Sequence, residues 1–325
     1  MVRTIAGITA LLCTMKTADA QTVDATRSLH LAFENDLIAV RGAGAPPDYD
    51  YTHGTRIGAA WPGAPGWIRR ISGWLPECRS ADARRRGCVM TALELGQEIY
   101  TPRRDARVPL AGERPYAGWL YGSGTARLVS SGRVRSIRLM VGVTGPPALG
   151  AEVQTALHRA LRNAPQLGWV HQLSFEPAMA VRYDERMHRE PSFADRRLVR
   201  VGVDWGATIG NLRTGIHAGV DGRLGLRGPR SWIPAEPELE QSMSVYALAG
   251  HRQEIVLRDL FVDGNTFRPS VRAVRRVAVG QYHVGFGVRR RGYGIDYRHV
   301  SRGEEYRAQN GRHAHGVLVV SVHQF

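Results

Sequence analysis

The side chains able to do chemistry in this chain gather in dense polar clusters. Glu34-Asn35-Asp36 is the first and Tyr51-Thr52-His53-Gly54 the second. Gly96-Gln97-Glu98-Ile99-Tyr100-Thr101-Pro102 follows and runs into Arg103-Arg104-Asp105-Ala106-Arg107. Then come Glu113-Arg114-Pro115-Tyr116-Ala117-Gly118, the pair Gln154 and His158, and Gly168-Trp169. Arginine's planar fork matches phosphate oxygens two at a time, so an arginine-rich chain suits phosphate contact; the plain alternative for such runs is a solvated charge pair. Taken alone, Asn35-Asp36 reads as an ordinary turn and Thr52 as a strand residue. His158 is as well explained as a surface histidine as by a functional role. Gly122-Ser123-Gly124 lacks the spacing of a serine-hydrolase elbow, and no metalloprotease helix, phosphate loop or dinucleotide fingerprint occurs. The 12 histidines form no zinc pattern; His313 and His315, two apart, read as solvated strand residues rather than ligands.

The elements that must position these clusters are mostly strands. Ile137, Leu139, Val141 and Val143 alternate with Ser136, Arg138, Met140 and Gly142. Val199, Val201, Val203, Trp205, Ala207 and Ile209 alternate with Arg200, Gly202, Asp204, Gly206 and Thr208. One face is greasy and the other small or polar, the pattern of a strand lying between lipid and a lumen. Weaker stretches start near Leu29, Tyr51, Val89, Trp119, Gln172, Thr214, Ser244, Val271, Gln281 and His315. Together they predict an all-β fold, a closed antiparallel transmembrane barrel of about twelve strands, bacterial barrels using an even number. A secreted β-sandwich also alternates, but it leaves the terminal aromatic Phe325 unexplained. Ala151 to Arg162 breaks the pattern: Val153, Ala156, Leu157, Ala160 and Leu161 fall at helical spacing, and Gln154 and His158 share one face. This short helix is expected near the active-site mouth, over the opening or inside the lumen.

The chain divides into residues 1–20, a secretory signal, and 21–325, the barrel. Met1-Val2-Arg3 precedes an apolar run from Ile5 to Met15, too short to span a bilayer, and Ala18-Asp19-Ala20 offers a cleavage site. Export makes Cys78 and Cys88 an expected disulfide across a loop within Pro62 to Gly87. The chain carries a formal net charge of +15, and its single lysine, Lys16, lies in the signal, so the mature part is basic through arginine. Such a surface suits nucleic acid, anionic membrane or a phosphorylated substrate, and charge alone does not choose.

The motifs in order resemble the outer-membrane lipid A deacylases of the LpxR type. The resemblance rests on Glu-Asn-Asp, Tyr-Thr-x-Gly, Gly-Gln-x-Ile-Tyr-Thr-Pro, Arg-Pro-Tyr-Ala-Gly, Val-Gly-Val-x-Gly-Pro-x-Ala-Leu-Gly, Gln-x-x-x-His and Gly-Trp-x-x-Gln across residues 33 to 172. Phe261 to Phe267 and Asp296 to Phe325 add to it. The resemblance implies a calcium-dependent esterase that removes the 3′-acyloxyacyl group of lipid A. His158 would be the general base, with Gln154 beside it. Asn35 and Asp36 would organise Ca²⁺, Thr52 would line the cleft, and Arg103, Arg104 or Arg107 would hold phosphate or the oxyanion. Those residue types suit ester hydrolysis. Histidine is a base near neutrality, calcium takes oxygen ligands, and a cation steadies an oxyanion. The expected partners are lipopolysaccharide and the outer membrane, with no nucleic acid, and the protein is expected to be a monomer. Three departures stand out: His53 in place of a smaller or amide residue, no lysine after Tyr100-Thr101-Pro102, and no carboxylate in Asn163-Ala164-Pro165-Gln166. The competing readings are a catalytically silent barrel or pore, and an outer-membrane phospholipase.

Overall fold

The computed structural model describes residues 27–40, 49–64, 87–189, 199–226, 243–290 and 292–323. The signal segment, Cys78 and Phe325 lie outside them. Twelve strands form one closed antiparallel barrel: β1 (Ser28–Asn35), β2 (Asp50–Pro62), β3 (Cys88–Thr101), β4 (Ala117–Ser130), β5 (Arg133–Thr144), β6 (Glu176–Arg189), β7 (Val199–Gly210), β8 (Arg213–Leu226), β9 (Ser244–Asp259), β10 (Ala278–Arg290), β11 (Tyr293–Arg302) and β12 (His313–His323). Each strand pairs with its chain neighbours, and β1 closes on β12 with Leu31 opposite Val320. Among the described residues two α-helices interrupt the pattern, α1 (Gly150–Leu161) and the single turn α2 (Leu260–Asp263). No described helix is long and apolar enough to cross a membrane; the strands do that.

Period-two alternation decides which side chains face lipid. On β5, Ile137, Leu139 and Val141 are exposed on the outer wall, whereas Ser136, Arg138 and Met140 line the interior. The interior holds a cavity of about 610 Å³ lined by charge. Arg138 pairs with Glu94, Arg182 with Asp184 at 2.9 Å, and Arg213 and Arg302 both reach Glu254, at 2.6 and 2.7 Å. Much of the arginine excess is therefore spent inside the barrel on ion pairs. Removing one partner of such a pair costs about 3–5 kcal/mol.

Two strand expectations change. The stretch from Val271 is loop, making one isolated bridge between Arg275 and Tyr306, and the segment near Gln172 becomes strand only at Glu176. β11 carries its lumenal charges Asp296, Arg298 and Arg302 within ten residues, which masks the alternation of Tyr293, Ile295 and Tyr297 outside. His313 and His315 are buried rather than solvated; His313 Nδ1 lies 3.4 Å from Gln309 Nε2.

Antiparallel order brings residues 36–40 and the connections 102–116, 145–175, 211–212, 260–277 and 303–312 to one rim. At this rim the mouth is corked. Leu260 and Phe261 of α2 are buried with Trp119, Tyr121, Leu173 and Leu212, and Phe261 stacks on Tyr100 at 4.2 Å. Beside them Arg114, 1% exposed, donates to Glu305 at 3.0 Å and lies 4.7 Å over the Tyr100 ring. Burial alone would raise the Glu305 carboxyl, but Arg302 and Arg114 outweigh it and hold the group well below the usual carboxylate range.

Candidate active site on the outer wall

Asn35 ends β1 and caps the 3-10 turn Asp36–Ile38: its Oδ1 accepts from the Leu37 amide at 2.8 Å. Its Nδ2 donates to His53 Nδ1 at 3.4 Å, and His53 Nε2 in turn donates to the Thr55 hydroxyl at 2.9 Å. Both His53 nitrogens are thus engaged. Asp36 is buried on the same turn. The pairing of β2 with β3 shifts register between Tyr51 and His53. Tyr51 lines the lumenal cavity, while the Thr52 hydroxyl meets that of Thr101 at 2.7 Å. Glu34, Glu98 and Tyr100 point inward, so their neighbours Asn35, Ile99 and Thr101 lie on the outer face.

Helix α1 closes over this face from outside. Pro146 and Pro147 fix a 3-10 turn ahead of it, and Arg162, in left-handed backbone with φ 60°, ends it. Ala151 and Val153 pack on Ile99, Tyr116 and Trp169. Gln97 on β3 donates to the Ala148 carbonyl at 2.6 Å. Gly118 of β4 meets Gly150 so closely that an added Cβ would stand 3.1 Å from its backbone. The helix therefore lies neither over the mouth nor in the lumen, but against the outside of the wall. Gly150 touches β4, and Ala151 and Val153 pack on Ile99 of β3, the strand that pairs with β2 beside Thr52.

Gln154 and His158, one turn apart, are buried at 2% and 3% exposure, as the shared face requires. Gln154 Oε1 accepts from the Trp169 indole at 2.7 Å; Trp169 follows in the Gly-Trp motif, though its role was not apparent in the sequence. His158 Nδ1 lies 2.5 Å from the carbonyl oxygen of Ala164. A carbonyl only accepts, so Nδ1 carries a proton, and in the neutral ring the lone pair then lies on Nε2.

The three arginines sit apart from this pair. Arg103 donates to Asp50 at 3.2 Å and to the carbonyl oxygens of Asn310 and Gly311. Arg104 pairs with Glu113 at 3.1 Å with most of its side chain in solvent. Arg107 is exposed on the same loop. Cys88, the first residue of β3, is disulfide-bonded. Among the described residues no group of three or more His, Cys, Asp or Glu side chains could hold a metal ion. A buried carboxylate such as that of Asp36 is the kind of oxygen donor that calcium favours, in general as one of six to eight oxygen ligands. The Asn35 side chain is committed to its cap and to His53.

A family model described as outer membrane protein LpxR matches residues 7–324. No curated protein matches the chain. Among solved structures, LpxR from Salmonella typhimurium superposes with a TM-score of 0.73 at 17% identity, covering 91% of this chain and 99% of that one. The β domain of the Bordetella autotransporter BrkA gives 0.46 at 13% identity, covering 93% of this chain and 100% of that one.

Proposed function

The chain belongs to the LpxR family of outer membrane proteins, and on that premise we propose that it is a lipid A 3′-O-deacylase working at its outer wall. One observation carries the reading: His158 is buried on the helix face it shares with Gln154, its Nδ1–H fixed on the Ala164 carbonyl, so that in the neutral ring Nε2 is the basic nitrogen. Nε2 would take the proton of a water that attacks the ester carbonyl and return it to the departing alcohol oxygen, releasing a fatty acid. Gln154, held by Trp169, keeps the helix turn beneath His158 in place. Calcium, when bound, would supply positive charge for the developing oxyanion, with Asp36 the side chain suited to hold it. Thr52, tied to Thr101, would form the floor.

The surroundings support a lipid substrate with phosphates. Below the site, outward Leu31, Ile57, Leu93 and Leu95 of β1 to β3 are exposed and would lie beside acyl chains. The loops 102–116, 145–175, 260–277 and 303–312 together hold twelve arginines against six carboxylates. Arg104, Arg107, Arg159 and Arg162 are exposed among them and suit lipid phosphates. The pore reading fits poorly with a mouth closed by Phe261 and Arg114.

The test is expression in a host of known lipid A followed by mass spectrometry of that lipid. The parent should remove the 3′-acyloxyacyl group. His158→Ala should leave it in place while the barrel stays folded and heat-modifiable. Unchanged deacylation by that variant would sink His158 as the base, and activity indifferent to chelators would remove calcium.

A further inference from the structure

Asp50, the first residue of β2, has φ 64° and is fully buried. Left-handed backbone is unfavourable for residues with a Cβ, and aspartate and asparagine tolerate it best. Two rim loops converge on its carboxylate. Oδ2 accepts from Arg103 Nε at 3.2 Å and from Gln309 Nε2 at 3.1 Å. Oδ1 accepts from the Tyr306 hydroxyl at 3.0 Å, and Arg114 Nη1 lies 3.8 Å away. Because Arg103 also donates to the carbonyls of Asn310 and Gly311, loops 102–116 and 303–312 are fastened together at Asp50. Immediately beyond, the register with β3 slips between Tyr51 and His53. A bulge bends a strand and re-aims its side chains. Here it sends Tyr51 to Glu34 at 2.8 Å inside the lumen, and brings Thr52 to Thr101 and His53 to Asn35 outside.

We propose that Asp50 is a positioning residue: its carboxylate, clamped by loops 102–116 and 303–312, fixes the left-handed start of β2 and so the bulge that aims Thr52 and His53 into the outer-wall site. Asp50 touches no reacting atom in this account. It acts through the backbone of residues 51–53, which joins the cork of the barrel mouth to the site on the wall. The kinetic part of the inference rests on the deacylase reading, whereas the structural part does not.

The experiment compares the full-length parent with Asp50→Ala, Asp50→Asn and Tyr306→Phe in detergent. It measures kcat and KM for fatty-acid release from lipid A, amide hydrogen exchange along the chain, and heat-modifiability. Asp50→Ala should lower kcat about 10²-fold, as misplacement by about an ångström does. Its KM should hold, and exchange should quicken over residues 50–56 and in loops 102–116 and 303–312, with the rest of the barrel as in the parent. Asp50→Asn, which keeps the left-handed preference, should recover much of that loss, and Tyr306→Phe should lose less than Asp50→Ala. Parental kcat and exchange in Asp50→Ala would overturn the proposal, as would faster exchange across the whole barrel with kcat and KM changed together. Should Asp50→Ala not fold, Asp50→Asn and Tyr306→Phe decide: parental kcat and exchange in both would overturn it. A parent that releases no fatty acid would defeat the deacylase reading alone, leaving exchange over residues 50–56 to judge Asp50.

Discussion

The helix against the wall makes a sharp prediction at Gly118. A Cβ there would stand 3.1 Å from Gly150 Cα and N, and 3.2 Å from Ala148 Cβ. Carbon atoms rest at about 3.5–4.0 Å, so Gly118→Ala asks the start of α1 to retreat by about 0.4–0.9 Å. Gly118→Val adds two further methyl groups on the same side, and overpacking of this kind costs about 1–3 kcal/mol. The strand itself should not suffer, since valine favours a pleated ladder over glycine. The strain therefore falls on the helix that carries Gln154 and His158. A shift of about 1 Å in a positioned group can cost about 10²-fold in rate, so we expect about a tenfold fall in kcat for Gly118→Ala and about 10²-fold for Gly118→Val.

The assay is release of fatty acid from lipid A, read by mass spectrometry on purified barrels shown to be folded by heat-modifiability. Gly122→Val is the matched control. It lies on the same strand and outer face, and a Cβ there meets only Leu95 Cδ2, at an ordinary 3.8 Å; its kcat should stay parental. A folded Gly118→Val barrel turning over at the parental rate would refute the idea that α1 forms the second side of the site.

Two further outcomes concern the mouth. The double variant Arg114→Ala, Phe261→Ala removes the charged and the aromatic halves of the cork, and should open single-channel events in planar bilayers where the parent is silent; a silent double variant would mean that other groups close the barrel. The Glu305 carboxyl is held below its usual range by Arg302 and Arg114, so its contribution to loop stability is complete above the unfolded pKa, about 4.3, and is lost as pH falls through the depressed folded value. Amide exchange over residues 303–312 should therefore be flat from pH 7 to about 5 once corrected for intrinsic rates, and rise below about 4.3, a rise that Glu305→Gln should abolish.

The barrel was legible because lipid and lumen impose a period of two, and strands such as β5 and β7 carry it cleanly. β11 was not, because a lumen filled with ion pairs tolerates Asp296 and Arg298 where a simpler interior would have small residues. The helix, its bounds to within a residue, and the shared face of Gln154 and His158 could be read from spacing. Its place could not. Gly118 and Gln97 sit at outward positions of ordinary alternation, and nothing local says that one meets Gly150 and the other the Ala148 carbonyl. Asp50 left a faint trace, an aspartate at a strand start, but its left-handed backbone depends on donors more than 250 positions away in Tyr306 and Gln309. Arginine in the sequence reads as phosphate chemistry, and the lumenal pairs show how much of it is internal neutralisation.

A site on the outside of a barrel solves a problem that a site in the lumen would not. A lipid in the outer leaflet keeps its acyl chains in hydrocarbon, and drawing one through a corked, charged interior would strip it of that environment at about 0.8 kcal/mol per methylene. At the wall the chains stay where they are, beside Leu31, Ile57, Leu93 and Leu95, and only the ester need rise to the level of the rim. The helix then has a definite role, because it keeps Gln154 and His158 out of bulk water, where a charged site would be weakened. On this view the cork and the wall site belong together. A closed lumen can be packed with ion pairs, Arg56 with Glu34 between β2 and β1 and Arg138 with Glu94 between β5 and β3, and a wall stiffened in this way is what allows a short external helix to hold a histidine in register with it.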